Sequence, residues 1–424
     1  MKIISLSGFI TAIIIAAVLV LINTVNNYQN SGSIFIEGLH AKVKVVRDEK
    51  GMAYIYADDL HDALMAQGFI TAQDRLFQME LTRMFAQGRI CELAGEKAKE
   101  LDTRMRTLGF HRNAKKHAKI LNDQSRAFFQ AYADGVNQYI ERQADYHHVE
   151  FRLADIKPSR WEIDDIFSIL YYMGWDSAAN MKTEIVAQML IEKLGSEKAR
   201  EIFPININPE DPAQFSYNQA AAGPALPAAI GINIQEDKKL MAILKEPSSL
   251  SVGSNNWVLS PSKTKSGKAM VCNDTHLPTN IIPGPMYALG LITPEFRAVG
   301  FIIPGVPGMI AGRTEHVAFG ITNSYGDAQD LYIETIDPDD NNNYLEGEKS
   351  IAFEIIKETL KIKDDESEKG FREEGITIRL SKRGPVISDV MPGLKTDKVI
   401  TMRWAPFETM HSSTGLEKLM LCKN

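Results

Sequence analysis

Cysteine is nearly absent. The chain of 424 residues has three, Cys91, Cys272 and Cys422. No two form a CxxC pair, which excludes a disulfide framework and a cysteine-rich zinc site. Positive charge is not in excess either: 47 Lys and Arg against 54 Asp and Glu leave a formal net charge of −7. With no basic patch interleaved with aromatics, nucleic acid is excluded as a partner. The usual catalytic signatures are missing too. There is no GxSxG elbow, no HExxH, no Walker loop and no complete dinucleotide fingerprint in a strand–helix–strand setting. What remains is ordinary globular material, 44% apolar and 24% charged, so disorder, collagen and a coiled coil are ruled out as the main state.

One long apolar run is present, and it sits at the N-terminus. Lys2 precedes Ile3 to Ile22, interrupted only by Ser5, Ser7, Gly8 and Thr11, and the first charge after it is Glu37. About 20 such residues are long enough to cross a hydrocarbon core. The positive end stays in the cytoplasm, which sends everything after Asn23 outward. Residues 1–22 therefore read as a membrane anchor or signal segment, and the rest as extracytoplasmic, periplasmic or on the outer face. The sequence Ile22-Asn23-Thr24-Val25 is a poor cleavage site, so an uncleaved anchor is expected over a cleaved signal. Residues 23–37 read as a tether.

The remainder changes texture along its length. Ala41–Val46 and Ala53–Ala57 look like two short strands joined by a turn at Asp48–Gly51. Residues 38–203 are mainly helical: Leu60, Leu64, Ile70, Leu76, Met79, Leu81, Met84 and Phe85 recur at threes and fours. Further helices are predicted over Arg112–Ile120, Ser125–Ile140 and, as one unit, Asp164–Leu194, with Gly195 as its C-cap. His147-His148 reads as a surface pair. Residues 204–253, punctuated by Pro204, Pro209, Pro212, Pro224, Pro227 and Pro247, read as a linker or excised spacer. From residue 254 to 424 the chain is strand-rich, with strands at Trp257–Leu259, Ala269–Cys272, Arg297–Ile303, Val317–Ile321 and Leu331–Ile333.

The feature that carries chemistry follows the spacer directly: Val252-Gly253-Ser254-Asn255-Asn256-Trp257. A serine needs a base before it attacks anything, and no partner stands nearby in sequence. One economical solution makes serine the first residue of a chain, so that its own α-amine serves. That amine has a pKa of about 7.7–8.0 and is appreciably neutral near pH 7–8. Breakage of the Gly253–Ser254 bond would create the arrangement, and Gly253, without a Cβ, tolerates the backbone geometry of a bond under attack. On residues alone, a Gly-Ser that opens a strand is usually a turn.

Here the sequence resembles the penicillin acylase family of N-terminal nucleophile hydrolases. The first part carries Arg47-Asp48 with Gly51, Ala66-Gln67-Gly68-Phe69, and Ala72-Gln73-Asp74-Arg75-Leu76-Phe77-Gln78-Met79, followed by Gly88-Arg89, Glu92-Leu93 and Gly95. The second carries Gly253-Ser254-Asn255-Asn256-Trp257, Asn273-Asp274-Thr275-His276-Leu277, Pro304-Gly305 with Pro307-Gly308, Gly320, Thr322-Asn323, and Asp327 with Gln329-Asp330-Leu331-Tyr332. The resemblance implies an α+β fold, an αββα sandwich with a largely helical N-terminal part, made as one precursor and self-cleaved into a two-chain heterodimer. It implies an amidohydrolase that opens the acyl amide of penicillins, N-acyl homoserine lactones or related small molecules. Ser254 would be the nucleophile for both cleavage and substrate attack. His276 would hold the α-amine in place, mainly through its main-chain carbonyl, and the Asn323 backbone N–H would help bind the oxyanion. Asp327, Gln329 and Asp330, with Glu184 from the first part, resemble a ligand set for one structural Ca2+, oxygen-only as that ion prefers.

Two departures accompany the resemblance. The stretch from Ser254 to Asn424 is shorter than the family's second chain, so sheet edges and apolar faces are expected to lie uncovered. A non-catalytic remnant or one piece of a split acylase is the competing expectation. The positions expected to line the acyl pocket carry Gly174, Ala178, Leu277 and Ala311, smaller groups that leave a roomier apolar site.

Overall fold

The computed structural model describes residues 6–25, 29, 31–143, 148–178, 181–202, 254–277, 282–323, 327–391 and 398–423. The spacer, with Gly253, lies outside the described residues. The apolar spacing of the first half becomes ten α-helices among the described residues: α1 (Leu6–Val25), α2 (Leu60–Gln87), α3 (Cys91–Ala94), α4 (Lys99–Leu108), α5 (Phe110–Ile120), α6 (Asp123–Arg142), α7 (Val149–Ala154), α8 (Ile163–Ala178), α9 (Met181–Leu194) and α10 (Ser196–Ile202). The segment expected as one helix from Asp164 to Leu194 is helical over α8 and α9, and residues 179 and 180 between them lie outside the described residues. Gly195 does end α9, its φ of +78° suiting a left-handed cap. His148 is half-buried and bonded to the Tyr139 hydroxyl at 2.8 Å, so the surface reading fails there, and His147 lies outside the described residues.

The anchor expectation for residues 1–22 falls partly outside the described residues, among which no helix is long and apolar enough to cross a membrane.

Helix α2 is the spine of the first half. Asp59 caps it by accepting the Asp62 N–H at 2.8 Å, and Gly88 closes it at φ +64°, with the Arg89 N–H returning to the Met84 carbonyl at 2.9 Å. It packs against α6 at a crossing made by two glycines. A Cβ on Gly68 would stand 2.1 Å from the Tyr132 carbonyl oxygen, and one on Gly135 would stand 1.9 Å from that of Met65. Buried Arg83 then ties α2 to α8, donating to Asp165 at 2.9 Å and to Glu80, with its guanidinium 4.4 Å from the Trp161 ring centre.

The two parts meet in a sheet. Strands β1 (Lys44–Arg47) and β2 (Ala53–Tyr56) form the expected hairpin. After β3 (Ser254–Leu259) and β4 (Met270–Thr275), which pair with each other, come β5 (Tyr287–Ile292), β6 (Arg297–Ile302), β7 (Ala311–Arg313) and β8 (Ala318–Phe319). The six-stranded sheet has the order β1-β2-β5-β6-β7-β8, and β2 runs parallel to β5 in the register Ala53↔Leu289 to Tyr56↔Ile292. Ile55, Leu289 and Leu291 are fully buried in a core shared with α2 and α6. Beyond it, β9 (Gln329–Glu334) pairs with the late strand Val399–Trp404, and Glu354–Lys363 pairs with Phe371–Ser381 in a long hairpin. The class is mixed α+β, as expected.

Buried polar pairs fasten the seam between the parts. Gln67 and Gly308 exchange two bonds, amide to carbonyl at 2.8 Å and N–H to side-chain oxygen at 3.0 Å. The Gly305 N–H donates to the Tyr132 hydroxyl at 3.1 Å, and Arg75 donates to the Gly284 carbonyl at 2.9 Å.

Replacing Gly135 by Ala forces α2 and α6 apart, and the expected cost is at least about 1–3 kcal/mol of unfolding free energy. Urea unfolding of G135A against G375A measures it. Gly375 has open space around it, so its substitution leaves the midpoint nearly unchanged.

Candidate active site

Ser254 opens β3 and is half-buried, whereas Asn255 to Leu259 are exposed. The register with β4 runs Ser254↔Thr275, Asn255↔Asp274, Asn256↔Asn273 and on to Leu259↔Met270. Trp257, Val258, Leu259 and Met270 leave apolar surface exposed on this ribbon. A two-stranded ribbon is marginally stable by itself, so what fixes the position of Ser254 has to come from elsewhere.

Most of that work falls to Asn273, a residue without an assigned role in the sequence reading. Its side-chain amide donates to the Ile321 carbonyl at 2.7 Å and, more weakly, to the Asn255 carbonyl at 3.3 Å, while its oxygen accepts the Ile321 N–H at 3.0 Å. Gly320 permits the approach: a Cβ there would lie 2.8–2.9 Å from three Asn273 side-chain atoms. With Ile321 clamped, the Thr322 hydroxyl donates to the Ser254 carbonyl at 2.8 Å. Asn323, next in the chain and half-buried, is therefore held beside the Ser254 backbone. The two residues expected to act on the reacting carbonyl, far apart in sequence, come together. The signal for Asn273 was its place in the Asn273-Asp274-Thr275-His276 motif.

His276 follows Thr275, the strand partner of Ser254, so its main chain lies at the same end of the ribbon. Its ring does not turn to the serine; Nε2 pairs with Asp274 at 3.0 Å. Among the described residues no side chain hydrogen-bonds the Ser254 hydroxyl.

The expected calcium ligands converge. Glu184 on α9, Asp327 and Asp330 each offer an oxygen within 4.8 Å of the others. Glu184 Oε2 accepts the Leu331 N–H at 2.6 Å, while Oε1 is buried without a hydrogen-bond partner. Burial pushes the Glu184 carboxyl up to about 7, with Asp330 and Asp327 adding to the rise. Burial likewise raises Asp330, with Asp327 contributing. Arg403, whose charge acts on Asp330, is paired with Glu408 at 2.7 Å. Three crowded carboxylates with an orphaned oxygen fit a hard divalent cation. Gln329 opens β9 opposite Trp404, with its side chain buried.

Of the expected pocket residues, Gly174 and Ala178 share α8, while Leu277 and Ala311 lie in other segments. Gly174 is exposed on α8, where a Cβ would touch the Trp404 indole at 3.9 Å. Ala311 is buried opposite Phe301 in the sheet, and Leu277, just past β4, is half-buried. Ala178 ends α8. A different cavity, about 440 Å3, is lined by residues including Arg47, Gln73, Asp74, Arg75 and Tyr287 and includes none of these. There the Arg47 guanidinium grips Asp74 with two bonds, 2.8 and 3.0 Å, explaining why the early motifs pair an Arg with an Asp.

A sequence model of the family described as penicillin amidase matches residues 42–424. Among curated proteins, the acyl-homoserine lactone acylase QuiP of Pseudomonas aeruginosa is 33% identical over 74% of this chain and 37% of its own length. Penicillin acylase 2 proenzyme of Pseudomonas sp. (strain SE83) is 30% identical over 72% of this chain and 39% of its own. Penicillin G acylase of Escherichia coli is 23% identical over 77% and 44%. A solved thermostable penicillin G acylase from Alcaligenes faecalis aligns with a TM-score of 0.34 at 25% identity, over 43% of this chain and 98% of that one. The chain thus spans less than half the length of these curated relatives. It belongs to the penicillin amidase family.

Proposed function

We propose that this chain carries the nucleophile of an amidase that hydrolyses N-acyl amides, N-acyl homoserine lactones or penicillins, after self-cleavage at Gly253–Ser254. The observation that carries the reading is the placement of Ser254 at the start of β3, its carbonyl held by the Thr322 hydroxyl next to Asn323, with no side chain among the described residues bonded to its hydroxyl. In the cleaved form the Ser254 α-amine takes the hydroxyl proton as Oγ attacks the amide carbonyl carbon. The Asn323 N–H steadies the oxyanion, a contribution of typically a few kcal/mol. The same amine returns the proton to the leaving nitrogen, and a water then hydrolyses the acyl ester to release the acid. His276 contributes through its main chain at the amine. Gly174, Ala178, Leu277 and Ala311 support a roomy apolar acyl site, in keeping with the lactone acylase among the relatives. Lys2 and the apolar run after it support an extracytoplasmic place of action.

Expressed whole, the wild-type chain is expected to yield a fragment beginning at Ser254, and Ser254→Ala to stay uncut; terminal sequencing decides. An intact wild-type bond ends the self-cleavage reading. Cleavage without hydrolysis of N-acyl homoserine lactones or penicillins ends the substrate reading.

Asn273→Ala is expected to lower kcat by about 10²-fold with little change in KM, because a displacement of about 1 Å at the reacting groups suffices for that loss. The same substitution frees the Ile321 amide, read as faster hydrogen exchange at that residue.

One structural Ca2+ per molecule is proposed at Glu184, Asp327, Asp330 and the Gln329 main chain, joining α9 to β9 across the seam. Added Ca2+ is expected to raise Tm in the wild type and to leave Glu184→Gln unmoved. Differential scanning calorimetry with and without a chelator checks this.

A further inference from the structure

A second cluster stands outside that site and takes no part in the proposed chemistry. His40 lies in the segment before β1; Asp59, His61 and Asp62 form the cap and first turn of α2. We propose that these four residues bind Zn2+ in a tetrahedral site that staples the incoming N-terminal segment to the start of α2.

Each of the four offers one ligand atom, and all four atoms lie within 4.8 Å of one another. His40 Nδ1 is 2.7 Å from Asp59 Oδ2 and 3.8 Å from Asp62 Oδ1, and His61 Nδ1 is 3.0 Å from Asp62 Oδ1. A tetrahedral ion with bonds of about 2.0–2.1 Å holds its donors about 3.3 Å apart. The observed separations fall on both sides of that value, so an ion needs only small shifts of the side chains. The two imidazoles are stacked, with centroids 4.3 Å apart and planes inclined by 16°, and both Nδ1 atoms face the same pair of carboxylates.

The carboxylates are fixed by the backbone. Asp62 is fully buried, and its oxygens accept the His40 N–H at 3.0 Å and the Ala41 N–H at 2.9 Å. Asp59 spends Oδ1 on the α2 cap, which leaves Oδ2 toward His40. Ligands oriented in this way are preorganised, and the two protons now shared between imidazole and carboxylate are what a cation displaces. Two imidazole nitrogens with two carboxylate oxygens suit Zn2+, unlike the oxygen-only group at Glu184, which suits Ca2+. The charges also balance, one divalent ion against two carboxylates. His40 and Asp59, with side chains 60% and 43% exposed, leave an entry path from solvent. Four protein ligands close the coordination sphere, so the ion is structural.

The test uses the tag-free full chain, stripped by a chelator and titrated with Co2+ as the spectroscopic probe. One equivalent is expected to give the intense visible bands of tetrahedral Co2+, which Zn2+ abolishes by displacement. His40→Ala and His61→Ala are each expected to weaken binding at least 10–100-fold, the loss seen for even outer-shell partners of such sites. Glu184→Gln leaves the bands unchanged. Because Asp62 also holds the backbone, the two histidine variants carry the test, and circular dichroism confirms that they fold. Weak octahedral bands only, no binding, or binding that survives the double variant would overturn the proposal.

Discussion

The structure depends on a seam that the chain does not cross covalently among the described residues. Helices from the first part and strands from the second share one core, and β2 enters the sheet of the second part through its parallel pairing with β5. At the centre of this seam Gln67 and Gly308 satisfy each other's amide groups in a fully apolar setting. A buried amide left unpaired costs about 1–3 kcal/mol, so either partner alone would be a liability. The surrounding apolar residues, among them Ile55, Phe69, Leu289 and Met309, supply the larger share of the stability. The polar pairs supply register, fixing where the Pro304–Gly308 loop lies on α2 and α6. The Gln67–Gly308, Tyr132–Gly305 and β2–β5 contacts all join described residues outside the spacer.

The nucleophile's position follows from a smaller version of the same device. The ribbon of β3 and β4 buries little and cannot hold itself in place. Asn273 converts it into part of a three-segment unit by reading the Ile321 backbone in both directions, and Gly320 is required because no side chain fits beneath that amide. Clamping Ile321 determines where Thr322 and Asn323 lie relative to Ser254. The geometry of the proposed oxyanion site therefore rests on main-chain groups set by one side chain outside it.

How much of this was legible in the sequence depends on the range of the interaction. Apolar spacing marked α2, α5 and α6 because a helix face repeats within a few residues, and the β1–β2 hairpin was readable from Gly51. Periodicity could not find Gln67, Arg83 or Asn273, whose partners lie far along the chain; family motifs singled out Gln67 and Asn273, and nothing marked Arg83. His40 and His61 carried no signal at all, being separated by a strand pair and brought together by the turn that caps α2. The carboxylates Glu184, Asp327 and Asp330 were legible as a resemblance, and the structure supplied the physical sense of it by placing a buried, half-satisfied oxygen among them.

The seam and the carboxylate group bear on each other. Glu184 is the point where α9 meets β9, and its bond to the Leu331 N–H is made by one oxygen while the other has none. Without a cation, burial and two neighbouring acids work against its ionised form, so this contact between the parts is the weakest held of those described. A bound divalent ion would turn the same three groups from mutual repulsion to shared coordination. Neutral amide pairs hold the seam near the core, where desolvating a charge is expensive. Carboxylates serve near the surface, where an ion can reach them. The division fits the uncharged side chains of Asn273 and Thr322 that align the nucleophile.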